Sequence, residues 1–372
     1  MRVAIVHDYI KEYGGAERVL ESLHEIYPNA PIYTTVYIPK FLGPHRERFK
    51  SASWRRKIKT SWFQYVPFKG KLISPVRLIS PFLFKSFDFS RFDVVIASQT
   101  GAYFPNMIKK GNAIQICYTH TPPRYLYGYA TARDWKKNKM MNILGTLANH
   151  FLRMVDYKSS QNVDFFIANS ENVRQRIQKF YRRDAKVIYP PAALDAQHLR
   201  AGPPVQKRTY YLAGGRIAKP KHIDLIVKAF EELDLPLIVF GRGFAGANLS
   251  SPKPNIEFVG EVSDGDKYEL MQNAKAYIFA SEDEDFGITP VEAMSLGTPV
   301  IAYKSGGVLE TVVDGKTGVF FEELSVKSLK SAIKRAISIH FEPAKIKEYA
   351  NKFSEENFKR EISKFIGSKG KK

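Results

Sequence analysis

Short apolar runs alternating with amphipathic helical segments set the tightest limit on how this chain folds. Val3–His7, Val94–Ala97, Ala113–Tyr118 and Phe165–Ala168 are continuous apolar runs, while Ala16–Ile26 and Glu171–Phe180 carry helical spacing. A strand with one wet face alternates polar and apolar residues, and a strand covered on both faces does not. These runs therefore predict parallel α/β architecture with helices on both sides of a sheet. The alternation breaks at Val187–Asp195, where VIYPPAALD and then QHLRAGPPVQKR read as a boundary and an extended linker. It restarts with strands Tyr210–Leu212, Leu237–Phe240, Ile256–Val259, Ala276–Ala280 and Pro299–Tyr303. Helices Ile223–Leu233, Lys267–Asn273 and Val291–Leu296 lie between them. The expected organisation is two Rossmann-like doubly wound domains, residues 1–188 and 189–344. A charged helix of about 345–366 packs back on the first, and GSKGKK, 367–372, forms a disordered tail.

At 372 residues the chain exceeds one comfortable core, which agrees with two domains. One cysteine, Cys117, excludes an intrachain disulfide and a cysteine-rich zinc site, and fits a reducing compartment. No apolar stretch approaches the roughly 20 residues of a membrane span, and Asp8 interrupts the N-terminus too early for a secretory signal. The expected location is cytoplasmic, with peripheral attachment to the inner face of the plasma membrane.

The net charge of +20 points to an anionic partner. Between Lys40 and Arg91 stand 13 basic residues against two acidic ones, Glu47 and Asp88. They are interleaved with Phe41, Phe49, Trp54, Trp62, Phe63, Tyr65, Phe68, Phe82, Phe84 and Phe87. Cations beside interfacial rings suit an anionic bilayer surface. A solvated basic face over an aromatic core is the competing explanation.

The segment richest in chemistry is Ser281–Val300, SEDEDFGITPVEAMSLGTPV. It leads from a strand through an acidic loop into a helix, at the sheet edge where open α/β folds bind ligands. Thr289, Pro290 and Glu292 suit an N-cap, a first helical residue and a capping-box glutamate. Capping leaves Glu284, its neighbouring carboxylates and Gly287 unexplained. Carboxylates accept hydrogen bonds from sugar and ribose hydroxyls, and backbone amides at a helix start face anions.

Seven residues separate Glu284 from Glu292, with Phe-Gly following the first and Ala-Met the second. This resembles the signature of retaining glycosyltransferase family four, closest to its mannosyltransferase-like branch. Other segments agree in order and spacing: YGGAERV (Tyr13–Val19), CYTHTPPRYLY (Cys117–Tyr127), ANSENVRQRI (Ala168–Ile177), GGRIAKPK (Gly214–Lys221), VFGRG (Val239–Gly243) and FVGEV (Phe258–Val262). The resemblance implies GT-B architecture, two Rossmann-like domains facing across a cleft. It also implies a retaining transferase that moves a sugar from a nucleotide diphosphate to a hydroxyl. GDP-mannose is the first expected donor and a UDP-sugar the next. The expected acceptor is a glycan or lipid-linked precursor of a polysaccharide.

The resemblance also assigns residues. Arg216 and Lys221 correspond to the cations on the donor diphosphate, with Gly215 and Gly241 in the phosphate-side turns and Glu261 and Val262 in the base-binding turn. Glu284 and the backbone at Asp285, Phe286, Gly287 and Ile288 hold the transferred sugar, and Glu292 binds ribose. Gly14 and Gly15 allow close backbone approach at the start of a helix, and His120 faces the reactive side of the sugar. The family commonly has glycine where this chain has Asp285, so sugar recognition differs there. Asp264-Gly-Asp266 reads as a helix N-cap rather than a metal site, and with two cations on the diphosphate no metal or cofactor is expected. Two other classes fit the charge or the fold: a basic nucleic-acid-binding protein, and a non-catalytic nucleotide-sugar-binding protein. The basic cluster sits in one lobe without an RNA-binding signature, so no nucleic acid is expected.

Overall fold

The computed structural model describes residues 1–370 except 43–44, 47–48, 50–51, 132–138, 195–207, 242–250 and 252. Most of the expected linker, together with Arg242 and Gly243 of the VFGRG segment, lies outside the described residues. The chain divides into two compact units. One comprises Met1–Tyr129, Asp134–Pro191 and Phe358–Lys372, and the other Ala130–Arg133 and Ala192–Asn357.

The first unit holds strands β1 (Val3–His7), β2 (Ile32–Thr34), β3 (Ile58–Thr60), β4 (Val94–Gln99), β5 (Ile114–Thr119), β6 (Phe165–Ala168) and β7 (Ala185–Val187). They form one parallel sheet in the order β3-β2-β1-β4-β5-β6-β7. Its helices are α1 (Gly15–Ile26), α2 (Ala52–Lys57), α3 (Lys69–Val76), α4 (Ser80–Lys85), α5 (Lys139–Gln161) and α6 (Glu171–Tyr181). The second unit holds β8 (Tyr210–Gly214), β9 (Leu237–Phe240), β10 (Ile256–Gly260), β11 (Ala274–Phe279), β12 (Val300–Tyr303) and β13 (Gly318–Phe321). These run parallel in the order β10-β9-β8-β11-β12-β13. Helices α7 (Ile223–Leu233), α8 (Asp264–Asn273), α9 (Ile288–Ser295), α10 (Val308–Thr311), α11 (Val326–Ser338) and α12 (Pro343–Ala350) belong to it, and α13 (Glu355–Lys369) returns to the first.

Both sheets are Rossmann-like, and the central strand runs are largely apolar because each central strand feeds two cores. In β1 and β4, Val3, Ile5, Val94 and Ile96 pack on one side with Val19, Leu20 and Leu23 of α1. Ala4, Val6, Val95 and Ala97 pack on the other with Phe166 and Val173. Strand order reverses between β1 and β4 and again between β8 and β11, which opens a crevice at the carboxyl ends of those strands.

The terminal helix corrects the sequence expectation. It is two helices: Ile346 and Ala350 of α12 are buried in the second unit, while Phe358, Ile362 and Ile366 of α13 join the α1 face of the first sheet. The break is a short turn at Asn351–Phe353, after which the Ser354 hydroxyl accepts from the Asn357 amide at 3.3 Å. The carbonyl of Phe353 also accepts from the amides of Ala192 and Ala193, both at 3.0 Å, so it is withdrawn from helical pairing. Residues expected in a disordered tail are helical as far as Lys369. Ile362→Ala removes a fully buried side chain, and the expected cost is about 2–5 kcal/mol in the unfolding transition of the first unit. Exposed Lys364→Ala is the control; equal urea midpoints for the two variants would contradict this packing.

Candidate active site

In the second unit, three strands end in glycine turns that press on one another. Gly214 and Gly215 follow β8 with φ of +151° and +111°, and Gly241 follows β9 with φ of +121°. A Cβ on Gly241 would lie 1.8 Å from the Gly215 carbonyl oxygen, and one on Gly214 would lie 2.2 Å from that of Phe240. A side chain at Gly214 or Gly241 would both strain the backbone and collide with it, whereas one at Gly215 would strain the backbone alone. The Gly215 amide donates to Phe240 at 3.1 Å and the Gly241 amide to Gly260 at 2.6 Å. Arg216 is exposed just beyond this cluster, Glu261 is exposed and Val262 half-buried after β10. Next comes α8, whose N-cap is Ser263, accepting from the Asp266 amide at 3.2 Å; Asp264 and Asp266 occupy its first turn.

Across the strand reversal, the acidic loop follows β11. Lys221 Nζ lies 2.6 Å from Glu284 Oε2 and 4.7 Å from the centroid of the Phe279 ring. The Ser281 hydroxyl donates to the same carboxylate oxygen at 2.8 Å. Backbone bonds fix the loop: Glu282 N to Pro220 O at 2.9 Å, and Gly307 N to Glu284 O at 2.7 Å. Gly306 has φ of +67°, and a Cβ there would meet the Glu284 carbonyl at 2.3 Å, so the Ser305–Gly307 turn is the floor beneath the acidic loop. Phe286 is buried against Phe353, with centroids 5.4 Å apart, and Asp285 is half-buried.

The capping box expected for Glu292 is not formed. The N-cap of α9 is Gly287, in the left-handed region at φ of +92°, and Ile288 is its first residue. Thr289 lies inside the helix and is hydrogen-bonded to Tyr277, whose hydroxyl donates to the Gly214 carbonyl at 2.8 Å. Glu292, with only 3% of its side chain exposed, instead pairs with Lys267 at 3.1 Å; Lys267 also lies 3.3 Å from Asp264. Burial, and after it the charges of Glu292 and Glu284, push the Tyr277 hydroxyl above the ordinary tyrosine range. Tyr277 thus bridges β8, β11 and α9.

The first unit carries its own polar edge. His120 follows β5 and donates its backbone amide to Gln99 at 2.9 Å. Its Nε2 lies 2.9 Å from Ser98 Oγ, which lies 3.0 Å from Nδ1 of buried His7. His7 Nε2 faces Glu17 Oε1 of α1 at 3.5 Å. Burial, with a smaller contribution from His7, lowers the His120 pKa to about 3, so its imidazole is neutral at physiological pH. Asp8 is fully buried, and its Oδ2 accepts from the Thr100 hydroxyl at 2.5 Å and from the amides of Thr100, Ala102 and Tyr103, each at 3.2 Å. That loop supports His120: a Cβ on Gly101 would lie 2.8 Å from the Thr121 carbonyl. Gly14 is the N-cap of α1 with an extended φ of −159°, so no tight turn requires glycine there; Gly15 opens the helix.

Of the residues singled out from sequence, the structure joins Lys221 to Glu284 and Gly215 to Gly241 directly, and the charges of Glu284 and Glu292 both act on the Tyr277 hydroxyl. His120, Gly14 and Gly15 belong to the other unit. Sequence reading missed Tyr277, Lys267, Asp8, His7, Ser98 and Glu17. A faint signal existed for three: His7, Ser98 and Tyr277 are polar residues within or closing strand runs that are otherwise apolar.

Two family models match the chain: glycosyltransferase family 4 over residues 13–196, and glycosyl transferases group 1 over residues 196–353. The alpha-1,3/1,6-mannosyltransferase ALG2 of Dictyostelium discoideum is 25% identical over 296 residues, covering 68% of this chain and 68% of its own. Its Schizosaccharomyces pombe namesake is 22% identical over 371 residues, covering 86% and 70%. Among solved structures, Anabaena Alr3699/HepE in complex with UDP superposes with a TM-score of 0.68 at 16% identity, covering 99% of this chain and 100% of its own. At that identity the likeness shows the fold alone.

Tyr277→Phe deletes the hydroxyl shared by Gly214 and Thr289, and is expected to lower the stability of the second unit by about 1–3 kcal/mol. Urea unfolding followed by a probe in that unit checks this; a shift below the error of the midpoint would mean that the tyrosine is not a brace.

Proposed function

We propose, for a chain that belongs to glycosyltransferase family 4 and the group 1 glycosyl transferases, that it transfers mannose from GDP-mannose with retention of configuration and without a metal. The pair formed by Lys221 and Glu284 carries this reading. It is a cation paired with a carboxylate beyond the carboxyl ends of β8 and β11, where strand order reverses, and this supports the reading. A departing diphosphate gains negative charge, and a preorganised cation lowers the energy of that state more than that of the bound donor. In this scheme Lys221 is shared between Glu284 and the diphosphate, Arg216 adds the second positive charge, and the glycine turns at Gly215 and Gly241 admit phosphate to the backbone. Glu284 then holds a sugar hydroxyl and Glu292 the ribose. The leaving oxygen takes the proton of the acceptor hydroxyl as that hydroxyl attacks the same face. His120 is the catalytic candidate of the first unit. The mannosyltransferase names of the relatives support mannose, and the UDP complex of the structural neighbour keeps a UDP-sugar as the alternative donor.

Titration calorimetry with GDP-, UDP- and ADP-sugars in EDTA tests the donor, with micromolar binding expected for GDP-mannose. Lys221→Ala and Arg216→Ala are each expected to lower kcat by about 100-fold or more. Turnover within twofold of wild type in both would sink the scheme. Proton NMR of early product reports the anomeric configuration, and silence of the folded protein across the panel would favour a non-catalytic or nucleic-acid-binding role.

A second element of the proposal concerns the acceptor. Within Lys40–Arg91 the rings divide: Phe49, Phe63 and Phe84 are buried, whereas Trp62 is 55%, Tyr65 86%, Phe68 79% and Phe82 67% exposed, near exposed Lys71 and Lys85. Among the described residues no helix is long and apolar enough to cross a membrane. Rings and cations exposed together suit peripheral contact with an anionic bilayer that presents a lipid-linked acceptor. Flotation with anionic vesicles at low salt is expected to enrich the protein; recovery equal to that with neutral vesicles would exclude this role.

A further inference from the structure

The polar row at the carboxyl edge of the first sheet has a direction. Strands β1, β4 and β5 are neighbours, and His7 is the register partner of Ser98, which in turn is that of Tyr118. His7, Ser98 and Tyr118 therefore share one face of the sheet, and His120, two residues beyond Tyr118, has the same parity. It is the face covered by α1, whose Glu17 ends the row beside His7. His7 and Ser98 are fully buried, and Glu17 is 6% exposed.

Hydrogen-bond bookkeeping orients the row. An ionised carboxylate accepts and never donates, so the His7 nitrogen facing Glu17 is favoured when it carries the hydrogen. That atom, Nε2, makes no hydrogen bond among the described residues and faces the carboxylate at 3.5 Å. With Nε2 protonated, Nδ1 of neutral His7 is a bare lone pair and takes the Ser98 hydroxyl hydrogen. Ser98 Oγ must then accept from His120 Nε2–H. The remaining His120 nitrogen, Nδ1, is left without hydrogen. A hydrogen on His7 Nδ1, in its other neutral tautomer or as a second proton, would reverse the chain, turning the serine hydroxyl toward His120 and placing the hydrogen on its Nδ1.

We propose that Glu17 fixes the tautomer of His120 through His7 and Ser98, so that His120 presents Nδ1 as a hydrogen-bond acceptor to a ligand hydroxyl at the carboxyl edge of the first sheet. Glu17, His7 and Ser98 are positioning residues in this arrangement. A histidine held this way accepts a hydrogen bond at Nδ1 and has no hydrogen there to donate.

The test uses the full chain with 15N,13C-labelled histidine. Two-bond 15N–1H correlations distinguish the tautomers, and the loss of signals in His120→Gln and His7→Gln assigns them. In wild type both rings are expected as the Nε2–H tautomer. His120 carrying its hydrogen on Nδ1, or a doubly protonated His7, overturns the proposal without any variant. Glu17→Gln replaces the carboxylate with a group that also donates, so a mixed or inverted His120 tautomer is expected. Ser98→Ala should uncouple the rings and Ser98→Thr, which keeps the hydroxyl, should not. An unchanged tautomer in folded Glu17→Gln refutes the link. The expected loss of kcat/KM in Glu17→Gln is about tenfold, comparable to one hydrogen bond.

Discussion

Covering a parallel sheet on both faces leaves polar chemistry only one place to go. Along β1, β4 and β11 nearly every side chain enters a core, and a charged group there would lose its hydration with nothing in return. At the carboxyl ends the strands give way to turns and helix starts, and there His7, Ser98, His120, Gly215, Gly241 and Glu284 appear. The glycine turns of the second unit follow from the same geometry. Three adjacent strand ends sit within backbone contact, so a side chain at Gly214 or Gly241 would occupy the space of a neighbouring carbonyl.

Two lysine–glutamate pairs that involve the candidate site residues of the second unit stand in different surroundings. Lys221 and Glu284 are both about a quarter exposed, so water still reaches the pair and a ligand can enter it. Glu292 is almost fully covered and Lys267 largely so, which makes their pairing part of the architecture as well as part of the site. Tyr277 ties the β8 turn to the first turn of α9.

Long, strongly periodic elements and local turn chemistry were legible in advance. β1, β6, α7 and β9 have the limits read from their apolar spacing, and the loops at Gly214–Lys221 and Ser281–Ile288 stand at the strand ends where their composition placed them. Three-residue strands such as β2, β3 and β7 were not visible, because so few residues show no period. Helix α5 was missed, and α12 and α13 were read as one, since the break depends on hydrogen bonds from Ala192 and Ala193, far away in sequence. The capping role of Glu292 failed for a related reason: Thr289 is engaged by a tyrosine on a strand, and Gly287 begins the helix earlier.

The sequence by itself determined the two doubly wound units, the family, and the loops that bear Arg216, Lys221, Glu284 and His120, because each is written in local periodicity or in a contiguous motif. Only the tertiary structure decided which groups meet. His7 and Ser98 stand 91 positions apart, and Lys221 and Glu284 stand 63 apart. Contacts at such separations leave no trace in local spacing: strand order and register bring them together, and those are set by how the whole sheet buries its two faces.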